Sequence, residues 1–337
     1  MIPVRPNRLS WNPESRALRK LAFLALRLTA LPFVFREVFQ RNRVTILVYH
    51  APMPQEFDAQ IGLLRRFYNI IPLWSYVEAR QMGDFRKLPA KALVITLDDG
   101  HRSNFALKDL VERHEIPITI FLCSGLIGTR RNFWFSHEKS PALVQWLKTV
   151  PDEERLAALR RTGFEEAKEF DDRQVLSMDE LRELNSRADF QSHTVSHPVL
   201  PRCSEEKAEA EIAGSRSDLQ TKLGTEVYAL AYPNGDYSER ELRLTERAGY
   251  SCALSLDRGF NTKKTPLFRL RRICIPDDAG RDEVLVKASG LWGEIRAVLD
   301  ASRRTVSNAK AHPWWGQCAS WLSVSCRSGP PASTGRP

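Results

Sequence analysis

An α/β domain with parallel strands is the fold class this sequence predicts, and three observations predict it. Short β-branched apolar runs recur at "VTILVYH" (44–50), "LVITL" (93–97) and "PITIFLC" (117–123). Stretches with helical spacing alternate with them. The first two runs stop abruptly at residues able to do chemistry: His50 in one, Asp98 and Asp99 just after the other. Sites of α/β proteins are built at the C-terminal ends of parallel strands.

In chain order, "VTILVYH" reads as a buried strand and "EFDAQIGLLRRFY" (56–68) as a helix. The strand "LVITL" is followed by a helix at "NFALKDLVERHE" (104–115) and the strand "PITIFLC". Residues 129–188 are charged and mostly helical in period, and read as an insertion forming a lid or rim. Within it Ser177 and Glu180 have the spacing of a capping box. A strand at "DFQSH" (189–193), a long polar helix at 204–224, a strand at "VYALAYP" (227–233), a helix at 239–249 and strands at 250–256 and 268–276 complete the pattern. The domain therefore runs over 44–300. Residues 301–337 have Trp, Cys, Ser and Pro without periodicity and read as a disordered tail.

Composition narrows the function. The chain has 337 residues, 42% hydrophobic and 27% charged, which excludes a disordered protein. The net charge of +9 suits acidic partners, but the arginines are spread along the chain and no nucleic-acid motif occurs. The six cysteines show no metal-finger spacing, and Cys123 and Cys274 sit in apolar runs as small buried hydrophobes.

The N-terminal segment 1–43 stands apart. "LRKLAFLALRLTALPFVFREVFQ" (18–40) is apolar, but Arg27 and Pro32 interrupt it. The unbroken part is short of the ~20 residues a bilayer span needs. No clear cleavage site follows, so a secretory signal fits poorly. An amphipathic helix fits better, either packed on the domain or lying at a membrane surface, and the residues leave both open. Flanking Arg16, Arg19, Lys20, Arg36, Arg41 and Arg43 suit an anionic membrane face. Cytoplasmic and peripheral membrane locations both agree with this.

The chemistry concentrates in two places. "TLDDG" (96–100) sets two carboxylates at a strand end. "HTVSH" (193–197) spaces two histidines four apart, the separation that aligns imidazoles on one side of a helical turn. Alone, the first is an ordinary turn and the second a common accident. Together they offer two imidazoles and a carboxylate, a ligand set suited to Zn²⁺ or a similar divalent ion.

These two motifs resemble those of the polysaccharide deacetylases with the NodB homology fold, carbohydrate esterase family 4. "AYPNG" (231–235) looks like a variant of that family's third motif, and "IPITIFL" (116–122) is similar to its strand after the first helix. The resemblance covers roughly residues 44–276 and implies a distorted (β/α) barrel. It implies that Asp99, His193 and His197 hold a divalent metal, Zn²⁺ by preference, and that Asp98 is the general base. Tyr232, Pro233 and Asn234 would lie at the substrate, with the Asn234 N–H supporting the oxyanion. The substrate would be an N-acetylated polysaccharide, oligosaccharide or glycolipid, releasing acetate.

The chain also departs from the family pattern. The last strand, "LRRICIP", lacks the usual general-acid histidine. His50, at the end of the first strand, would replace it, as in a circularly permuted subgroup. The third-motif arginine that steadies the base is missing, and Arg272 could orient Asp98 instead. His101 stands where an aromatic is common and would either contact substrate or cover the site. Two other readings remain compatible: a metal hydrolase of a non-sugar amide or imide, and a non-catalytic glycan-binding protein.

Overall fold

The computed structural model describes residues 13–138 and 140–299, so the expected tail at 301–337 lies outside the described residues. The described residues up to 293 form one compact unit. In the second unit, residues 294–299 are helical.

Eight strands build the first unit: β1 (Thr45–Tyr49), β2 (Asn69–Ile70), β3 (Ala92–Leu97), β4 (Ile118–Leu122), β5 (Ala188–Ser192), β6 (Ala229–Ala231), β7 (Cys252–Leu254) and β8 (Ile273–Cys274). Their pairings are all parallel, in the order β7-β6-β5-β4-β3-β1-β8, with β2 beside the start of β3. The two ends of this row approach each other through one segment. Leu270 donates its N–H to Ala253 O at 2.9 Å, and five residues on Ile275 donates to Val48 O at 2.9 Å. Residues 270–275 thus bridge β7 to β1 and close a distorted (β/α) barrel along a thin seam.

That seam corrects one expectation. A continuous strand over 268–276 is replaced by a 3₁₀ turn at Leu267–Arg269 and the two-residue β8. Pro266 and Pro276 cannot donate to a ladder, and the Arg272 N–H goes to Asp257 O rather than to a neighbouring strand. Cys274, expected in the core, is exposed, since β8 pairs on one side only; Cys123 is buried as expected. Likewise the helix expected over 104–115 starts as a 3₁₀ turn, Arg102–Leu107, and is α-helical from Lys108 to His114.

Period-2 alternation sorts the strand residues onto two faces. Val44, Ile46, Ala92, Val94, Phe121, Ala231 and Leu254 form one apolar cluster inside the barrel, joined by Leu73, Tyr76 and Val77 of the helix Leu73–Gln81. Leu47, Tyr49, Leu93, Ile95, Leu97, Ile120 and Leu122 face outward. They pack under Phe57, Ile61 and Leu64 of the helix Pro54–Leu64 and beside Ala208, Ile212 and Leu219 of the helix Glu205–Leu223. Each such side chain contributes about 1.5–3 kcal/mol of hydrophobic stabilisation. The same parity predetermines the site. The row Ala92, Val94, Thr96 leads to Asp98, and the row Ile46, Val48 leads to His50.

The helix Pro13–Leu28 packs against the helix Arg281–Ala288, which answers half of the question left open for the N-terminal segment. Among the described residues no helix is long and apolar enough to cross a membrane.

Candidate metal centre

β1 and β3 run in register, with Tyr49 opposite Leu97, and Asp98 donates its N–H to Tyr49 O at 2.9 Å. His50 and Asp98 therefore leave the sheet side by side. The backbone then turns sharply. Asp99 adopts φ 72° and Gly100 φ 59°. A Cβ at Gly100 would meet Leu122 Cδ2 at 2.4 Å, so only glycine fits this turn. The two adjacent acids consequently point to different places.

Asp98 faces Arg272. The guanidinium grips it with two bonds, Nη1 to Oδ1 at 2.6 Å and Nη2 to Oδ2 at 2.9 Å, while Nε donates to Ser255 O at 3.0 Å. Arg272 is 1% exposed, and its guanidinium carbon lies 5.7 Å from the Phe121 ring centre. This arginine is an interior residue of the barrel. Burial pushes the Asp98 pKa up, but the charge of Arg272, then that of His193, outweighs it and holds the carboxyl below its ordinary value.

Asp99 faces the two histidines. His193 Nε2 and His197 Nε2 each lie 3.4 Å from Asp99 Oδ1. Among the described residues this is the one group of three His, Cys, Asp or Glu side chains able to converge on an ion, and all three are buried. The residues fit a metal. Asp99 Oδ1 is buried with no hydrogen-bond partner among the described residues. Ligands about 2.0–2.1 Å from a tetrahedral ion lie about 3.4 Å from one another. His193 Nδ1 donates to Ala231 O at 2.8 Å, which leaves Nε2 as the ring nitrogen facing Asp99. Burial pushes His197 down to about 3, so its imidazole is neutral and free to ligate.

The spacing of these histidines is not that of a helix. β5 ends at Ser192, and "HTVSH" is an irregular loop with Thr194 at φ 69° and His197 at φ 60°. Contacts from distant segments shape it. Ser124 and Gly125 donate their N–H groups to Thr194 O and Val195 O, each at 3.0 Å. Trp134 Nε1 donates to His197 O at 2.9 Å, and the Phe135 ring lies 4.8 Å from the His197 ring. Glu211, buried in the helix Glu205–Leu223, accepts from the N–H groups of Val195 and Ser196 at 2.9 and 2.8 Å and from Ser196 Oγ at 2.5 Å.

Trp134 and Glu211 escaped the sequence reading, because neither lies in a motif. The insertion is thus built into the wall of the site. Its Lys148, whose pKa burial pushes down, interacts with the charges of Asp236 and Asp99.

Replacing Glu211 with alanine removes the acceptor from two half-buried N–H groups, those of Val195 and Ser196, at about 1 kcal/mol each. The expected result is metal affinity weakened about tenfold or more, read by competition with a chromogenic chelator. Glu211→Gln should restore most of it, because its amide oxygen can accept both N–H groups.

The remaining sequence candidates divide. His50 is partly exposed at the strand end, where its backbone oxygen accepts from Asn104 Nδ2 at 2.8 Å, and it interacts electrostatically with both Asp98 and Asp99. His101 caps the 3₁₀ turn, its Nδ1 accepting from Ser103 N–H at 3.2 Å, and burial lowers its pKa. Tyr232 was expected at the substrate. Its side chain is instead wholly buried, with the hydroxyl on Phe268 O at 3.2 Å and Thr245 Oγ1 at 3.4 Å. It faces the helix Glu239–Arg247 because the short β6 turns this residue outward. Pro233 is buried behind it. Asn234, at φ 58°, has a buried Nδ2 with no partner among the described residues.

A parallel barrel whose strand ends carry a buried Asp–His–His cluster beside an arginine-clamped carboxylate defines the class: a hydrolase built around a metal-type centre. Residues 85–253 match the family described as Polysaccharide deacetylase, and the chain belongs to that family. It is similar to YxkH of Bacillus subtilis (strain 168), named as a candidate polysaccharide deacetylase, with 22% identity over 243 residues, 68% of this chain and 71% of that one. Among solved structures it resembles the Streptococcus pyogenes deacetylase PplD in complex with acetate. The TM-score is 0.56 at 20% identity, over 73% of this chain and 98% of that one. IcaB from Ammonifex degensii gives 0.55 at 18% identity, over 74% and 98%. The solved structures support the fold.

Proposed function

We propose that the chain hydrolyses the N-acetyl group of an amino sugar, carried in a polysaccharide, oligosaccharide or glycolipid, and releases acetate. Membership of the deacetylase family gives the class of reaction. The observation that carries the finer reading is the division of labour between adjacent acids, Asp99 against two imidazoles and Asp98 against Arg272. Asp99, His193 and His197 would hold a divalent ion, Zn²⁺ by the chemistry of two nitrogens and one oxygen. Bound there, such an ion would lower the pKa of a water and polarise the acetyl carbonyl.

The chain's own residues do the rest. Arg272 keeps Asp98 ionised and fixes its plane, and each Asp98 oxygen retains a lone pair to take the proton of the attacking water. Asp98 Oδ2 lies 4.0 Å from His193 Nε2, so the base stands beside the ligand cluster without joining it. The Asn234 N–H donates to the oxyanion that develops on the acetyl oxygen. His50, beside Asp98 at the strand ends, gives a proton to the departing sugar nitrogen. Without that proton the amine is a poor leaving group.

The test is acetate release from N-acetylglucosamine oligomers and lipid-linked N-acetylated sugars, with small cyclic amides and imides as controls. Release from the sugars alone supports the reading, and hydrolysis of the cyclic substrates alone overturns it. In the same assay His50→Ala is expected to lower turnover about 10²-fold or more. Unchanged turnover would remove His50 from the mechanism.

A further inference from the structure

The helix Pro13–Leu28 sits on the domain with its polar side inward. Arg19 Nη2 reaches Asp278 Oδ1 at 2.8 Å, and its Nε reaches Glu283 Oε2 at 3.2 Å. Arg16 lies 3.6 Å from the same Asp278, and Arg27 pairs with Asp282. Phe23 is buried on this side as an apolar anchor, its ring 4.9 Å from that of Trp292. The leucine side is left facing out: Leu18, Leu21 and Leu28 are 67%, 61% and 75% exposed. The chain then continues through short helical turns, Leu31–Val34 and Phe35–Gln40, which expose Phe33, Val38 and Phe39 as well. This many exposed large apolar side chains within one short segment mark an interaction site.

We infer that this face is a lipid-docking surface, which seats the protein on an anionic membrane without crossing it. Charge decides the occupant. Between residues 16 and 43 the only acid is Glu37, and it is paired with Arg36 at 2.8 Å and Lys91 at 3.1 Å. Lys20, Arg41 and Arg43 are exposed in the same segment. Lys20 lies one helical turn from Leu24, on the rim of the apolar face. Cations bordering an apolar face match anionic headgroups over acyl chains. A second copy of the chain would bring like charges together across a two-fold axis. Among the described residues no helix is long and apolar enough to cross a membrane. Neutralisation of Arg16, Arg19 and Arg27 by acids of the domain holds the leucine face outward before any lipid arrives.

The experiment is co-sedimentation of the full chain with vesicles of phosphatidylcholine alone and of phosphatidylcholine with phosphatidylglycerol. The wild type is expected to sediment with the anionic vesicles and to be released by salt. The triple variant Leu21→Glu, Leu28→Glu, Phe33→Glu should partition at least about tenfold more weakly. Lys20→Glu with Arg41→Glu should weaken binding to the anionic vesicles only. Unaltered circular dichroism and metal binding in the variants would show that they fold. Wild-type protein left in the supernatant with both vesicles overturns the inference. So does a triple variant that binds as well as wild type. A concentration-dependent dimer that the triple variant abolishes, without vesicle binding, assigns the face to a second copy instead.

Discussion

Asp98→Asn is expected to bind metal as the wild type does and to lose about 10²–10⁴ in turnover, the span that general acid–base groups contribute. The ligand cluster is untouched by this change, because its carboxylate oxygen comes from Asp99, which sits in its own left-handed turn. Only the proposed proton acceptor is removed. The substitution also leaves Arg272 with one acceptor fewer, since an amide nitrogen cannot accept, at a stability cost of about 1–3 kcal/mol. Turnover should therefore be measured well below the melting temperature of the variant, alongside metal titration of the same preparation. Full turnover would remove Asp98 from the mechanism.

Arg272→Met is expected to be the most destabilising single change at the site, by about 3–5 kcal/mol in urea denaturation. Asp98, 3% exposed, would be left as a buried charge stripped of both its guanidinium bonds, and Ser255 O would lose its donor. Arg272→Lys should recover only part of this, because an ammonium cannot reproduce two parallel bonds at 2.6 and 2.9 Å. The double variant Arg272→Met, Asp98→Asn is expected to be more stable than Arg272→Met alone, since removing both partners leaves no orphaned charge. A double variant that is merely the sum of the two singles would mean that the pair does not couple.

What the sequence made legible follows from what is local. Strand alternation puts His50 and Asp98 on the inner face, and the glycine of "TLDDG" marks the turn that separates Asp98 from Asp99. Those features depend on a few consecutive residues. The ligand loop does not. Two histidines four apart suggest a helical turn, but Trp134, Ser124 and Glu211 bond "HTVSH" into a different shape from well outside it. Tyr232 shows the same limit. Its motif suggested a substrate contact, whereas the partners that draw its hydroxyl into the interior, Thr245 and Phe268, come from later in the chain. The burial of Arg272 beside Asp98 depends on the seam that closes the barrel, which no local pattern in the sequence announces. For the N-terminal helix, periodicity revealed two faces but not which one meets the domain. Acids at 278–283 decide that.

The central claim is that Asp99, His193 and His197 form one metal site, with Asp98 outside it. Titration of the metal-stripped wild-type chain with Zn²⁺, read by calorimetry beside Asp99→Ala and Asp98→Asn, tests it most directly. The account predicts one ion per chain for wild type and for Asp98→Asn, and no comparable binding for Asp99→Ala. Equal binding by Asp99→Ala, or loss of binding in Asp98→Asn, would contradict it.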